Sequence, residues 1–264
     1  MPTTSWNTAN APATSWGTQN ALADYAVSVT TSVTTSYVTT VYDAFTGTSG
    51  SNLTTHEADS GASWTQDASL NDALVLSGAN RVYTPGGSVT AQYVTGAVPP
   101  GSDYTVSAVI RALSAITDSY AGIIGRVNAA GNSLYYGRYA GSAGAGTARW
   151  ELYKVVAGSA TLLGSANHNI STSSDYVMRL VLAGTSIRLL VNDASQVSVT
   201  DGDVTAAGTA GFRCIAPVAQ TDTTGLHLDE FTLRGWLGVT TSSVSTAYSW
   251  GTQGAPTTSW VTVA

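Results

Sequence analysis

The sequence predicts an all-β fold, a two-sheet antiparallel jelly-roll sandwich with extended N- and C-terminal arms. Three observations carry this. Residues 42–236 break into short runs rich in Val, Ile, Leu and Tyr, each bounded by Gly, Asn or Asp turns. No stretch of adequate length keeps the 3.6-residue period of an amphipathic helix. The runs are joined mainly by short hairpin loops, which points to an antiparallel sandwich or barrel. A body of about 195 residues is too long for a seven-stranded immunoglobulin domain of about 100 residues and suits a large jelly roll.

Residues 1–41 form an N-terminal arm that opens with a ten-residue repeat, PTTSWNTANA then PATSWGTQNA. Its second half, YAVSVTTSVTTSYVTTVY, is rich in Val, Thr and Tyr and has high strand propensity. Within the body, YTVSAVIRAL (104–113) alternates, with Tyr104, Val106, Ala108 and Ile110 on one face. GIIGRV (122–127) and SLYYGRY (133–139) flank a plausible hairpin loop, NAAGN. RWELYKVV (149–156) pairs by the same logic with ATLLGSA (160–166), and DYVMRLVL (175–182) with SIRLLVND (186–193). QVSVT (196–200), AGFRCIA (210–216) and LHLDEFTLRG (226–235) follow. Residues 237–264 form a C-terminal arm that repeats the Ser-Trp unit, as TAYSWGTQGA and PTTSWVTVA.

Four of the seven tryptophans, Trp6, Trp16, Trp250 and Trp260, lie in these arms. Apart from Tyr248, Trp is the sole large apolar group of the repeats, so they cannot build a core of their own. Tryptophan is a favoured interface anchor, and we read all four as docking groups. They would meet a partner, another copy of the chain, or the chain's own central domain.

The composition excludes several function classes. Charged residues make up 10% of the chain, far below the roughly 25% of ordinary globular proteins, and Lys154 is its single lysine. A net charge of −6 argues against binding nucleic acid, which needs Lys and Arg to replace counterions. No run approaches the ~18–20 apolar residues of a membrane span. Cys214 stands alone in the apolar stretch GFRCIA, so it reads as a buried thiol. No basic and apolar leader opens the chain, although its composition is that of an extracellular β-protein. A virus particle, assembled in a host cytoplasm without a signal peptide, satisfies both.

The body then carries a family likeness. Asp43 and Phe45 open it, and Leu53, His56, Asp59, Gly61 and Trp64 follow in the order Leu-x-x-His-x-x-Asp-x-Gly-x-x-Trp. Leu226, Leu228, Asp229 and Phe231 form a closing Leu-x-Leu-Asp-x-Phe strand. Residues 42–235 resemble the concanavalin A-like, laminin-G-like jelly roll in this pattern. The resemblance implies that the first and last strands of the body are neighbours, with Phe45 and Phe231 close together. It also implies a structural Ca²⁺ as cofactor, with Asp43 and Asp229 as metal ligands; the alternative is that each merely accepts backbone hydrogen bonds. The short Trp repeats resemble those of bacteriophage virion proteins. That likeness implies a non-enzymatic capsid-decoration, tail or fibre protein, bound through its arms to other virion proteins or to copies of itself. The alternative is a host-surface adhesin that binds a cell-surface glycan.

Chemistry on this fold needs specific side chains. A glycosidase needs two carboxylates facing one groove about 5–10 Å apart. Glu57, Glu151 and Glu230 are the only glutamates, and none opens the full Glu-x-Asp-x-x-Glu series of the fold's retaining glucanases, so no hydrolysis is expected. His56, His168 and His227 lie far apart, with no Cys or second His nearby at metal-binding spacing. Asp201-Gly202-Asp203 lacks the further oxygens of a calcium loop and reads as a turn. For sugar binding the candidates are Tyr136 and Arg138 on one strand and Trp150 and Tyr153 on the next. Aromatic faces stack on sugar C–H groups, and a guanidinium donates paired hydrogen bonds to oxygens. Packing of the same aromatics inside the sandwich is the alternative.

Overall fold

The structure is a computed structural model that describes residues 30–86, 90–114, 118–141 and 147–244; for residues 30–36, 71 and 237–244 it describes the backbone. The chain divides into two compact units, Tyr37–Trp236 and Met1–Ser36 with Leu237–Ala264. The four tryptophans of the terminal repeats lie outside the described residues.

Among the described residues fifteen strands run in chain order: β1 Thr30–Asp43, β2 Trp64–Asn71, β3 Val75–Leu76, β4 Val82–Tyr83, β5 Thr90–Thr95 and β6 Tyr104–Ala112. Next come β7 Tyr120–Val127, β8 Leu134–Ala140, β9 Arg149–Val156, β10 Ser159–Asn167 and β11 Asp175–Ala183. The last are β12 Ser186–Val191, β13 Ala194–Thr200, β14 Thr209–Ile215 and β15 Leu226–Val244. One 3₁₀ turn, Leu53–Thr55, is the sole helical element among the described residues.

The strands build two sheets. An eight-stranded sheet runs β13-β12-β11-β6-β15-β4-β3, with β1 also paired to β15, as expected of the first and last strands. A seven-stranded sheet runs β10-β9-β8-β7-β14-β5-β2. Two-residue turns set the hairpin registers. Ala157 and Gly158 both take positive φ between β9 and β10, as do Asn192 and Asp193 between β12 and β13. Such turns match the twist of the strands they join.

The two sheets differ in how they meet water. In the eight-stranded sheet β6 alternates strictly, burying Tyr104, Val106, Ala108, Ile110 and Ala112. That is the pattern of a sheet with one wet face. In the seven-stranded sheet Ala121–Val127 of β7 are all buried, as are six of the seven residues of β8. Its outer face is therefore also covered, by side chains of its own strands. Ile124, Val127, Leu134, Tyr136 and Val155 form a second apolar cluster there, apart from the main core.

At one place in the main core the motif residues meet. Trp64 and Phe212 stack at 5.4 Å and 7°, and Phe231 packs edge-on at 5.0 Å from each. Phe45 lies 6.0 Å from Trp64 and 5.8 Å from Phe212, so Phe45 and Phe231 share one cluster. Asp43, with no exposed surface, accepts from the Phe45 amide at 2.7 Å and from Trp64 Nε1 at 2.7 Å. His56 Nε2 lies 2.9 and 3.1 Å from its two oxygens and completes the set.

Candidate functional site on the seven-stranded sheet

The outer face of the seven-stranded sheet gathers most of the sequence-derived sugar-binding residues. Strand register puts Gln92 beside Arg213, Arg213 beside Gly122, Gly122 beside Arg138, and Arg138 beside Glu151. Paired residues of an antiparallel sheet share a face, so this is one continuous row across five strands. The next row along runs Val94, Gly211, Ile124, Tyr136, Tyr153.

Arg138 is the centre of this face. Its Cζ lies 4.2 Å from the centroid of the Tyr120 ring, 4.5 Å from Tyr153 and 5.5 Å from Tyr136. Its Nε donates to Glu151 at 2.6 Å. Glu151 is fully buried and accepts a second bond, from Arg149 Nε at 2.6 Å. A guanidinium held by aromatic faces and a charge-assisted bond has few rotamers left, so its remaining N–H groups are fixed in direction. Arg213 also stands over Tyr136, with Cζ 5.8 Å from the ring centroid.

Each proposed sugar contact now has a place. Arg138 and Tyr153 lie on the outer face, partly exposed. Tyr136 faces the same way but is 3% exposed, beneath the two guanidiniums, and its hydroxyl donates to the Arg213 carbonyl at 2.7 Å. Burial raises its pKa above the ordinary tyrosine value. It supports the arginines and offers no open ring. Trp150 has no exposed surface and belongs to the main core, edge-on to Tyr139 at 4.9 Å. It points away from Arg138 because odd spacing from Tyr153 on one strand means opposite faces, so it is corrected to a core residue. The sequence reading missed Tyr120, Glu151, Arg149 and Arg213 as members of the face. The alternation of Arg149, Glu151 and Tyr153 was a usable signal for two of them.

Beside this face a cleft of about 540 Å³ is lined by Thr65, Asp67, Gln92, Val94, Asn128 and Thr209, among others. Gln92 donates to Asp67 at 3.0 Å and to the Gly131 carbonyl at 2.9 Å, which fixes its amide across one end of the row.

The calcium site implied by the resemblance does not fit the residues present. Both oxygens of Asp43 already accept from N–H donors, and a cation would have to displace them. Asp229 sits at an irregularity in β15 and accepts the Glu230 amide at 2.7 Å, with Arg81 at 3.7 Å. Among the described residues no group of three or more His, Cys, Asp or Glu could hold a metal ion. Both aspartates act as hydrogen-bond acceptors. The Asp201–Asp203 turn holds Lys154, whose Nζ lies 2.6 Å from Asp201 and also bonds Asp203. Cys214 is a core thiol, pushed up to about 12 by burial.

Burial pushes the Asp229 carboxyl up to about 6. Its folded pKa then exceeds its unfolded value, so the folded state binds the proton more tightly and ionisation costs stability. The cost is absent below the unfolded pKa of 3.8 and complete above about 6. Asp229→Asn is therefore expected to gain on the wild type by about 1–2 kcal/mol between pH 4 and pH 7. Urea unfolding at several pH values in that window measures it, and parallel profiles for the two proteins would reject it. The buried His227, whose pKa burial lowers, is common to both proteins and cancels in the difference.

Solved structures decide the architecture. A glycosyl hydrolase family 16 protein from Mycobacterium smegmatis aligns with a TM-score of 0.50 at 11% identity, over 74% of this chain and 100% of that one. The fold is a jelly-roll β-sandwich. Two further structures from Bacillus subtilis align less well. A protein of unknown function with a galectin-like fold gives a TM-score of 0.49 at 12% identity, over 72% of this chain and 98% of that one. The carbohydrate-binding module CBM66 gives 0.44 at 13% identity, over 67% and 94%. At such identities the likeness is one of fold alone. No family model matches the chain, and no curated protein matches it.

Proposed function

We propose that this chain is a non-catalytic saccharide-binding module whose site is the outer face of the seven-stranded sheet. The observation that carries the reading is Arg138, clamped between Tyr120 and Tyr153 and tied to the buried Glu151. A saccharide site needs rigid, directional donors beside aromatic walls, because hydroxyls desolvated on binding must regain their hydrogen bonds. Glu151 has both oxygens engaged by arginines, which suits a positioning group and not a proton donor. The Ser-Trp repeats of the arms support display of the module on a phage particle, bound to virion proteins or to other copies. They are the basis for a virion location.

A glycan array followed by titration calorimetry tests the site. Tyr153→Ala is expected to weaken the best ligand about tenfold or more, the loss of roughly 1.4 kcal/mol or more of aromatic contact. No reducing sugar should appear on prolonged incubation. Absence of any saccharide ligand, or full affinity in the variant, would remove the reading. A chain trimmed to Tyr37–Trp236 should keep the ligand and lose assembly with particles or copies, and retained assembly would reject the role of the arms.

A further inference from the structure

We infer that the saccharide taken by this face is anionic, with an oxyanion (a carboxylate or sulfate) seated over Gly122 between Arg138 and Arg213. This rests on the reading of the face as a saccharide site and names the chemical class of its ligand.

Charge is the first argument. The chain carries −6 overall, yet this face brings together Arg138, Arg149 and Arg213 against the single carboxylate of Glu151. Arg138 and Arg149 share that carboxylate, and Arg213 has none. Among the described residues every other half-buried or buried arginine has a carboxylate within 4.0 Å; Arg188 and Arg234, also unpaired, are exposed. A half-buried guanidinium loses part of its hydration, which an anion in contact with it restores. Its two neighbours in register, Gln92 and Gly122, are neutral.

Geometry is the second. Gly122 lies between Arg213 and Arg138 in the row. A Cβ at Gly122 would stand 2.2 Å from the Gly137 carbonyl oxygen and 2.7 Å from Arg138 Cα and Cβ. The position therefore excludes any side chain, and the floor between the two arginines is bare backbone. With neighbouring strands about 4.8 Å apart, the two Cα atoms stand about 10 Å from each other. An oxyanion seated on that floor would lie between two fork-shaped donors that match its oxygens. Both also rest on one support, the Tyr136 ring, at 5.5 and 5.8 Å. Tyr120 and Tyr153, both partly exposed, hold Arg138 beside that seat.

The experiment uses the full chain on an array holding neutral, carboxylated and sulfated members of the same glycan backbones, with inorganic sulfate as a free-anion competitor. The expected result is preference for the acidic members by about tenfold or more over the neutral parents, falling as salt rises from about 0.05 to 0.5 M. Arg213→Gln should cut that preference to less than about threefold, and Arg213→Lys should keep more of it. The carboxylated and sulfated arms show which oxyanion is preferred. Displacement by inorganic sulfate alone at equal concentration would show a bare anion site and overturn the saccharide part. Equal or better binding of the neutral parents would overturn the inference while leaving the saccharide reading intact. No glycan bound at all would overturn both. The salt dependence of the wild type decides the matter even if the Arg213 variants melt early.

Discussion

Asp43→Ala is expected to cost about 3–5 kcal/mol of folding stability, the range for removing one partner of a buried charged network. The carboxylate has no exposed surface and serves three donors: the Phe45 amide, Trp64 Nε1 and His56 Nε2. Alanine would leave each of them buried without an acceptor, at roughly 1–3 kcal/mol per group before relaxation. The backbone adds to the effect. Phe45 has φ of 53°, a left-handed conformation that a bulky residue seldom adopts. The bond from its amide to Asp43 Oδ1 holds that turn, and the turn delivers the Phe45 ring to Trp64 and Phe212. Asp43→Asn keeps one acceptor oxygen but sets an NH₂ group against N–H donors, so it should lose nearly as much. Urea unfolding at pH 7 gives the number; a loss below about 1 kcal/mol would show that the network does not hold the aromatic cluster.

Much of this architecture was legible in the sequence, and the reasons for the gaps are physical. Strands β7 to β12 are runs of Val, Ile, Leu and Tyr cut by glycines and asparagines, and both signals agree there. Strand β2 is not legible because Gln66, Asp67 and Ser69 interrupt any apolar pattern; register with β5 defines it. Strands β3 and β4, of two residues each, exist through their pairing with each other and through that of β4 with β15. The aspartates of the family pattern were visible as residues, but their role depended on which donors the fold brings to them. The same holds for the site. Alternation along β8 puts Tyr136 and Arg138 on one face, and the structure agrees. Alternation along β14 equally implies that Arg213 faces away from Phe212 and Cys214. What sequence could not supply is that β14 lies between β5 and β7, because that neighbour relation joins segments far apart in the chain.

The second large effect belongs to Glu151 and separates stability from binding. Glu151→Ala would leave Arg138 and Arg149 without their shared counter-charge, with Arg213 nearby on the same face. An uncompensated buried charge costs about 3–5 kcal/mol, and Arg138 is 14% exposed, so solvent relieves little of it. Glu151→Gln retains one acceptor and should lose less. Saccharide affinity should fall in both, because Arg138 is aimed by Glu151 and a free guanidinium samples several rotamers. A double variant, Glu151→Leu with Arg138→Met, tells these effects apart. Buried ion pairs replaced by apolar groups of similar volume often fold as well as the parent. The double variant is therefore expected to melt within a few degrees of the wild type, a stability change of about 1 kcal/mol or less, yet to bind no saccharide. Binding retained in it would mean that the site lies elsewhere, the cleft beside Gln92 being the next place to look. Stability lost to the same extent as in Glu151→Ala would mean that the pair holds the sheet together and has no separate part in recognition.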